Sequence, residues 1–216
     1  MNKDKVKIIE NPVIFQNLAV MRNKETSSQD VRLATRKITR ILLYEASKNL
    51  PLVEKTISTP LTDFKTKTID ENINLIISPI LRAGLIFTDE AIDILPQACI
   101  RHIGMYRDEK TLKPVWYYNK VPMEAKNPEK FYIYITDPML ATGNSLIEVI
   151  KLYADKNIPI KNIKVICIIA APEGIENIQA RFPEIEIITA AVDTTLNEKG
   201  YIVPGMGDAG DRIFNT

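Results

Sequence analysis

Residues 131–145, FYIYITDPMLATGNS, combine an apolar run, an acid and a loop of small residues. The apolar run at 131–135 is rich in β-branched and aromatic residues, which is typical of a buried parallel strand. Asp137 stands where this strand ends, and Pro138 after it has no amide hydrogen to continue a ladder. From residue 146 onward, apolar residues recur at helical spacing. The pattern predicts a strand, an acid, a small-residue loop and a helix.

This order of elements suits the binding of a phosphorylated sugar. Amides at a helix N-terminus are unpaired and carry partial positive charge, so they attract phosphate. Small residues let the backbone approach the phosphate oxygens, while Thr142 and Ser145 add hydroxyl donors. Asp137 is an acceptor suited to a pair of ribose hydroxyls. An ordinary turn between strand and helix, with Asp137 and Thr142 only capping, is equally consistent with this stretch taken alone.

Two further turns carry candidate cationic groups. A buried strand at 73–78 runs into SPILRAG, and a helix is predicted over 85–95. Arg82 in that turn could hold a phosphate or pyrophosphate through two hydrogen bonds, although a surface position is the commoner fate of arginine. A single strand is predicted over 98–106. We interpret His102, in the middle of it, as structural, because a general base must reach substrate.

The remaining elements extend an α/β pattern. A helix is predicted from about Pro12, and a second helix from Ser28 follows the capping sequence SSQD. The basic face of this second helix is interpreted as solvated; its residues are Arg32, Arg36, Lys37 and Arg40. Two alternating runs, 53–58 and 62–69, predict a peripheral antiparallel hairpin. The aromatic segment 111–123 predicts a protruding hairpin or flap that could close over substrate.

Strands at 163–171 and 184–193, with a helix at 175–182 between them, complete the alternation. It predicts a parallel sheet flanked by helices, with ligands bound beyond the carboxyl ends of the strands. The glycine-rich segment 196–216 breaks the pattern but keeps apolar residues that disordered tails lack. We therefore expect an ordered loop whose bare backbone lies against a ligand.

Size and composition fit one soluble α/β domain spanning 1–216. The chain has 216 residues, of which 45% are hydrophobic and 25% charged, and its formal net charge is +1. That charge argues against nucleic acid or an anionic membrane as partner. Cys99 and Cys167 both fall in apolar runs, so we expect buried, inert thiols. The charged N-terminus without an apolar core and the free thiols favour a cytoplasmic protein.

The segments SPILRAG, GMYRDEKTLKP, DPMLATGNS, AAPEG and GYIVPGMGDAGDRIFNT together resemble the uracil phosphoribosyltransferases. The resemblance runs in order from about residue 22 to the end of the chain. It implies a type I phosphoribosyltransferase fold with a peripheral hairpin arm or flap and a C-terminal hood loop over the base. The implied reaction transfers ribose 5-phosphate from 5-phosphoribosyl 1-pyrophosphate (PRPP) to uracil N1, giving UMP and pyrophosphate in pyrimidine salvage.

The resemblance also implies roles for individual residues. Arg82, Arg107 and Asp208 are the implied catalytic residues. The implied PRPP-binding residues are Arg82, Arg107, Asp137, Pro138, Met139, Leu140, Ala141, Thr142, Gly143, Asn144, Ser145 and Asp208. The implied uracil-binding residues are Ile202, Gly207, Asp208 and Ala209. Mg²⁺ is the implied cofactor. It would be held mainly through PRPP, and Asp208 is the one protein side chain that could also bind it. A homodimer or higher homo-oligomer and GTP as effector are implied as well.

At three positions this chain departs from glycines typical of the family: Ile86, Asn144 and Asn215. Asn144 lies within the phosphate loop, where asparagine tolerates a positive φ better than other non-glycine residues. Its side chain could still crowd a phosphate. Two alternatives therefore remain open: a non-catalytic regulator that senses a nucleotide on the same fold, and an enzyme of this fold acting on another base.

Overall fold

The computed structural model describes residues 3–107, 114–121 and 124–216, apart from the side chains of Lys3, Arg107 and Pro114. Its strands and helices, in chain order, are β1 (Val6–Ile8), α1 (Pro12–Arg22), α2 (Ser28–Ser47), β2 (Leu52–Ser58), β3 (Asp63–Ile69), β4 (Asn74–Leu81), α3 (Ile86–Ile94), β5 (Cys99–Ile100), β6 (Ile103–Arg107), β7 (Pro114–Asn119), β8 (Phe131–Thr136), β9 (Met139–Leu140), α4 (Asn144–Ala154), β10 (Ile163–Ala170), α5 (Pro172–Arg181), β11 (Glu186–Val192), β12 (Thr195–Leu196), β13 (Ile202–Val203) and α6 (Ala209–Phe214).

Within the described residues, one sheet of nine strands forms the centre of the molecule. Its main order is β1-β11-β10-β8-β4-β6-β7, with β5 also paired to β4 and β9 to β10. Every pair is parallel except β6 with β7, which is antiparallel. Strand β10 is buried along its whole length, as expected when helices cover both faces of a parallel sheet. The predicted fold class is confirmed.

Helices cover the sheet on two faces, each with its own apolar core. On one face, α1, α2, α3 and α6 pack around side chains such as Ile38 and Phe87, which are fully buried. On the other face, α4 and α5 contribute Ile150 and Ile178, which are also fully buried. Each such side chain contributes roughly 2 kcal/mol through removal of apolar surface from water. The two cores hold the helices against both faces of the sheet.

Local signals place the first two helices where the sequence predicts them. The Ser27 hydroxyl oxygen accepts a hydrogen bond from the Asp30 amide at 3.2 Å, and the hydroxyl donates to the Asp30 carboxylate at 2.8 Å. The Asn11 side chain accepts from the Val13 amide at 2.8 Å, with Pro12 at the first helical position. These contacts satisfy amides that a helix start leaves unpaired, so they determine where each helix begins.

The predicted peripheral hairpin is confirmed as the antiparallel pair β2–β3, whose residues pair from Leu52↔Ile69 to Ser58↔Asp63. The predicted flap is described at residues 114–121, of which β7 is an antiparallel edge strand against β6. Residues 111–113 and 122–123 of that predicted flap lie outside the described residues.

The prediction of one strand over 98–106 is wrong. β5 pairs with Ile76 and Ile77 of β4, whereas β6 pairs further along the same strand. The two residues between them belong to neither strand, although the Arg101 amide still donates to the Ile77 carbonyl at 2.8 Å. His102 is one of these two and does not lie within a strand. Its Nε2 lies 3.1 Å from the Thr88 hydroxyl oxygen on α3. This contact to a neighbouring helix agrees with a structural role.

The prediction for the cysteines is half right. Cys167 lies inside β10, and burial raises the pKa of its thiol to about 12, so it stays protonated at neutral pH. Cys99 is exposed, because β5 is a two-residue strand that pairs only with β4. None of the described helices is both long enough and apolar enough to cross a bilayer.

The basic face of α2 is not simply solvated, as the sequence suggested. Arg36 and Arg40 both form ion pairs with Glu90 of α3, whose side chain is fully buried. Arg32 donates to the Ile213 carbonyl of α6 at 2.8 Å. A buried carboxylate needs cationic partners, and only the packing of α2 on α3 brings these residues together.

Candidate active site

The carboxyl edge of the sheet holds a pocket of about 240 Å³ between the loop after β8 and the C-terminal segment. Of the residues implied by the resemblance, the pocket is lined by Asp137, Met139, Ala141, Thr142, Gly143, Asn144, Ser145, Ile202, Gly207, Asp208 and Ala209. It is also lined by Ala83, Leu146, Gly200, Tyr201, Met206 and Gly210. The loop at 137–145, predicted to bind the sugar phosphate, and the glycine-rich C-terminal segment, predicted to bind the base, therefore face each other across one cavity.

Main-chain contacts hold the sugar-phosphate loop, residues 137–145, on the sheet. Strand β9 pairs with β10, and the Pro138 carbonyl accepts from the amides of Ile168 and Ile169 at 2.9 and 3.1 Å. Pro138 and Leu140, two of the predicted donor-binding residues, are buried and do not line the pocket. Leu140 lies within β9 and in the core, and Pro138 directly precedes β9, so both residues support the loop.

Gly143, rather than Asn144, takes the left-handed backbone conformation in this loop. Its φ is 80°, and a Cβ there would lie 2.9 Å from the Gly174 carbonyl oxygen. Asn144 is the first residue of α4 and has no positive φ, so the tolerance of asparagine for that conformation is not needed there. Among the described residues, no side chain caps α4, which leaves its first amides directed at the pocket.

Asp137 is half-buried, and it lines the pocket. Burial raises its pKa to about 7, although a hydrogen bond from the Met139 amide at 3.2 Å acts in the opposite direction. A poorly hydrated carboxylate accepts hydrogen bonds strongly, because it has little water to give up. Asp137 is therefore well suited to bind two vicinal hydroxyls.

Arg82 and Arg107 lie at the same edge of the sheet. Arg82 directly follows β4, and its Nη2 lies 3.4 Å from the Asp211 carboxylate on α6. Its side chain is 60% exposed, so the guanidinium remains accessible to a ligand. Arg107 is the last residue of β6, which runs parallel to β4, but its side chain lies outside the described residues. Ala83, which directly follows Arg82 in the sequence, lines the pocket.

We call residues 193–208 the base loop. Asp208 ends it and caps α6, since its Oδ1 accepts from the Asp211 amide at 2.9 Å. The Tyr201 hydroxyl lies 3.5 Å from Asp208 Oδ2 and can donate to it. Our sequence reasoning missed Tyr201, although it stands next to Ile202 in a motif that we singled out. It also missed α6, whose six residues are too few to show helical periodicity.

Glu173 joins the base loop to α5. Its Oε1 accepts from the Thr195 hydroxyl at 2.9 Å and from the Leu196 amide at 3.2 Å. Leu196 pairs with Ile202 in the β12–β13 ladder. Hydrogen bonds from its own amide and from Thr195 lower the pKa of Glu173, so it is ionised at neutral pH. The sequence showed Glu173 within AAPEG but gave it no role.

The other two departures from family glycines are accommodated. Asn215 has a φ of 60° and closes α6, which is a conformation that asparagine adopts more readily than most residues. Its side-chain oxygen accepts from the Ser28 hydroxyl at 3.0 Å. Ile86 begins α3 in a helical conformation and packs against the core on the α2 face.

A metal ion here would depend on its substrate for most of its ligands. No group of three or more His, Cys, Asp or Glu side chains suited to a metal occurs among the described residues. Asp208 places one exposed carboxylate at the pocket. Such a sparse set of carboxylates fits Mg²⁺ bound largely by phosphate oxygens and water.

Comparison with known proteins agrees with the geometry. A uracil phosphoribosyltransferase of Dictyoglomus thermophilum is 46% identical over 209 residues, covering 97% of this chain and 98% of that protein. The enzyme of that name from Lactococcus lactis subsp. cremoris is 45% identical over 212 residues, covering 98% and 99%.

Solved structures show the same fold. The AQ2163 protein of Aquifex aeolicus matches with a TM-score of 0.87 and 34% identity, over 97% of both chains. An adenine phosphoribosyltransferase of Trypanosoma brucei matches in fold alone, with a TM-score of 0.57 and 13% identity, over 94% of this chain and 88% of that one. The model of the family described as uracil phosphoribosyltransferase matches residues 8–216. The chain belongs to the uracil phosphoribosyltransferase family.

Proposed function

We propose that this protein catalyses the transfer of ribose 5-phosphate from PRPP to N1 of uracil, releasing pyrophosphate and forming UMP. The observation that carries the proposal is the single pocket shared by the uncapped N-terminus of α4, Asp137 and the base loop. The bond between C1′ and the pyrophosphate oxygen breaks, a bond from C1′ to N1 forms, and N1 loses its proton. The matched family and the curated relatives support this activity.

The proposed roles follow from the chemistry of such a transfer. The α4 amides and the hydroxyls of Thr142 and Ser145 bind the 5-phosphate, and Asp137 binds the ribose hydroxyls. Arg82 and Arg107 bind the pyrophosphate and stabilise the charge that it gains as it departs. The sugar becomes oxocarbenium-like as this bond breaks, so no protein nucleophile is required.

Uracil is proposed to be read by the main chain of Ile202, Gly207, Asp208 and Ala209. The base presents a donor flanked by carbonyls, and backbone amides and carbonyls can match this order. Cytosine has an acceptor at N3 and an amino donor at C4, where uracil has a donor and a carbonyl, so cytosine mispairs at both positions. An unsatisfied buried amide costs about 1–3 kcal/mol. Asp208 is proposed to hold or accept the proton that leaves N1.

Mg²⁺ is the proposed cofactor, held mainly by PRPP with Asp208 as a single protein ligand. When bound, the ion offsets the charge of the pyrophosphate. The family resemblance further supports a cytoplasmic enzyme of pyrimidine salvage, a homodimer or higher homo-oligomer, and GTP as a candidate effector. The matched family and the relatives support the enzyme over the regulator alternative.

The test is an assay of the purified protein with uracil, PRPP and Mg²⁺, in which UMP and pyrophosphate are measured. Cytosine, hypoxanthine and orotate replace uracil in parallel reactions, and Asp137→Ala serves as the inactive control. We expect UMP from uracil and little product from the other bases. Absence of UMP, or faster turnover of another base, would refute the proposal.

A further inference from the structure

A closed ring of hydrogen bonds ties the base loop to the C-terminal end of α1. Arg22 forms two parallel bonds to Asp193, from Nη1 to Oδ2 at 2.7 Å and from Nη2 to Oδ1 at 2.6 Å. Arg22 Nη1 also donates to the Gly205 carbonyl at 2.8 Å. The Gly205 amide donates to Asp193 Oδ2 at 2.7 Å. The ring therefore satisfies both polar groups of the Gly205 backbone.

This ion pair is well shielded from water. The Asp193 side chain is 5% exposed and that of Arg22 is 25% exposed. Two parallel bonds between a guanidinium and a carboxylate fix orientation as well as distance. The Asp193 amide also donates to the Ala170 carbonyl at the end of β10, at 2.8 Å. The ring thus connects the base loop to both the sheet and α1.

A second arginine fastens the other side of the same loop. Arg212 of α6 donates to the Met206 carbonyl at 3.0 Å and to the Asn23 carbonyl at 2.7 Å. It also donates to the Met21 carbonyl. Carbonyls at the end of a helix lack partners within the helix and attract cations, so α1 offers natural acceptors here.

The Gly205 turn determines where the following residues lie relative to Ile202. Its φ is 54°, and a Cβ there would lie 2.1 Å from the Ile202 carbonyl oxygen. Main-chain amides and carbonyls that hydrogen-bond to a base cannot adjust by changing a side-chain rotamer, so their positions depend on the backbone alone. A shift of this turn would therefore change the spacing between the groups on its two sides.

We propose that Arg22 and Asp193 are positioning residues that set the affinity of the pocket for the pyrimidine and its preference for uracil over cytosine. This inference rests on the proposed function. Binding of PRPP should be unaffected, because Asp208, which belongs to the base loop, is also held as the cap of α6, and because separate contacts hold the sugar-phosphate loop. Those contacts are the β9–β10 pairing and a hydrogen bond from Asn177 Nδ2 to the Thr142 carbonyl at 3.0 Å.

Arg22→Lys and Asp193→Asn test the proposal separately. Lysine keeps the charge but cannot form parallel bonds, whereas asparagine keeps an acceptor for the Gly205 amide but loses the charge. For each variant we expect the KM for uracil to rise about tenfold, as for the loss of one charge-assisted hydrogen bond. We expect the KM for PRPP to stay unchanged and the preference for uracil over cytosine to fall.

Glu186→Gln is the matched control, because Glu186 begins β11 whereas Asp193 directly follows that strand. Glu186 also forms ion pairs, with Lys7 at 2.7 Å and Lys164 at 3.3 Å. Its substitution should lower the melting temperature without changing the KM for uracil. If Arg22→Lys and Asp193→Asn likewise lower only the melting temperature, or raise both KM values equally, the positioning role is refuted.

Calorimetric titration with UMP separates this proposal from the proposed function. UMP should bind Asp193→Asn about tenfold more weakly than it binds the unaltered protein. An unaltered protein that binds UMP but makes none refutes the proposed function alone, and the affinity ratio then decides the positioning role. Equal UMP affinities refute the positioning role, and an unaltered protein that neither binds nor makes UMP refutes both.

Discussion

Gly174, near the start of α5, lies directly against the Ala141 carbonyl of the sugar-phosphate loop. A Cβ on Gly174 would lie 2.2 Å from that oxygen, which is closer than any real contact. Gly143, which also belongs to the sugar-phosphate loop, lies against the Gly174 backbone as well. Helix α5 therefore forms the floor on which this loop rests, although none of its residues lines the pocket.

Gly174→Ala should displace the sugar-phosphate loop and reduce catalytic efficiency with PRPP by about 100-fold, because small misplacements of reacting groups have effects of this size. Glu176→Ala, on the exposed side of the same helix, is the control and should leave activity unchanged. Steady-state kinetics with varied PRPP measures the effect. A Gly174→Ala enzyme with unaltered efficiency would show that the loop can move without consequence.

Asn144→Gly should lower the KM for PRPP, because the exposed Asn144 side chain lines the pocket at the uncapped start of α4. Removing it opens the approach to the helix amides. Glycine also adds backbone freedom in the unfolded chain, so we expect a loss of about 0.5–1 kcal/mol in the free energy of unfolding. Kinetics and denaturant titration measure the two effects. A higher KM would mean that Asn144 itself contacts the donor.

Asp137 should make stability depend on pH. Its folded pKa of about 7 exceeds the ordinary value of about 3.9, so between these values the folded protein binds more protons than the unfolded chain. Stability from this group is therefore present at low pH and lost as the pH rises through the folded pKa. Asp137→Asn should raise the melting temperature at about pH 8 but not at about pH 4. Equal shifts at both pH values would contradict this.

Asp208→Asn should remove most of the turnover while preserving the fold. Asparagine caps helices as well as aspartate does, so the contact to the Asp211 amide can persist. The lost carboxylate removes both the proposed proton acceptor and the proposed protein ligand for Mg²⁺. Tyr201→Phe, which removes only the hydroxyl 3.5 Å from Asp208, should have a smaller effect. Full turnover by Asp208→Asn would eliminate the carboxylate from the mechanism.

Glu90→Gln should loosen the packing of α3 on α2. The substitution leaves Arg36 and Arg40 without their buried partner, but both guanidiniums can reach water. We therefore expect a loss of about 1–3 kcal/mol in the free energy of unfolding, less than for a fully buried pair. Denaturant titration measures it, with Asp93→Asn, the exposed partner of Arg40, as control. Equal losses for both variants would show that the buried pair contributes no more than the exposed one.

Hydrophobic periodicity and turn residues determined most of the fold from the sequence alone. The apolar run before Asp137 had to be a central strand, and Ser27 had to begin a helix, because both signals are local. The strand predicted over 184–193 also ends in an acid, Asp193, but the sequence could not name its partner. Arg22 lies 171 positions away along the chain.

Only the tertiary structure decided which distant residues share the pocket and which merely support it. Packing places Pro138 and Leu140 in the core, makes Gly143 rather than Asn144 take the positive φ, and buries Glu90 between two arginines. Sequence patterns indicate whether a residue is expected to be exposed or buried, and this expectation depends only on residues that are close in sequence. Contacts between the base loop, α1 and α5 depend on how these distant segments pack on the sheet. A local sequence pattern does not contain that information.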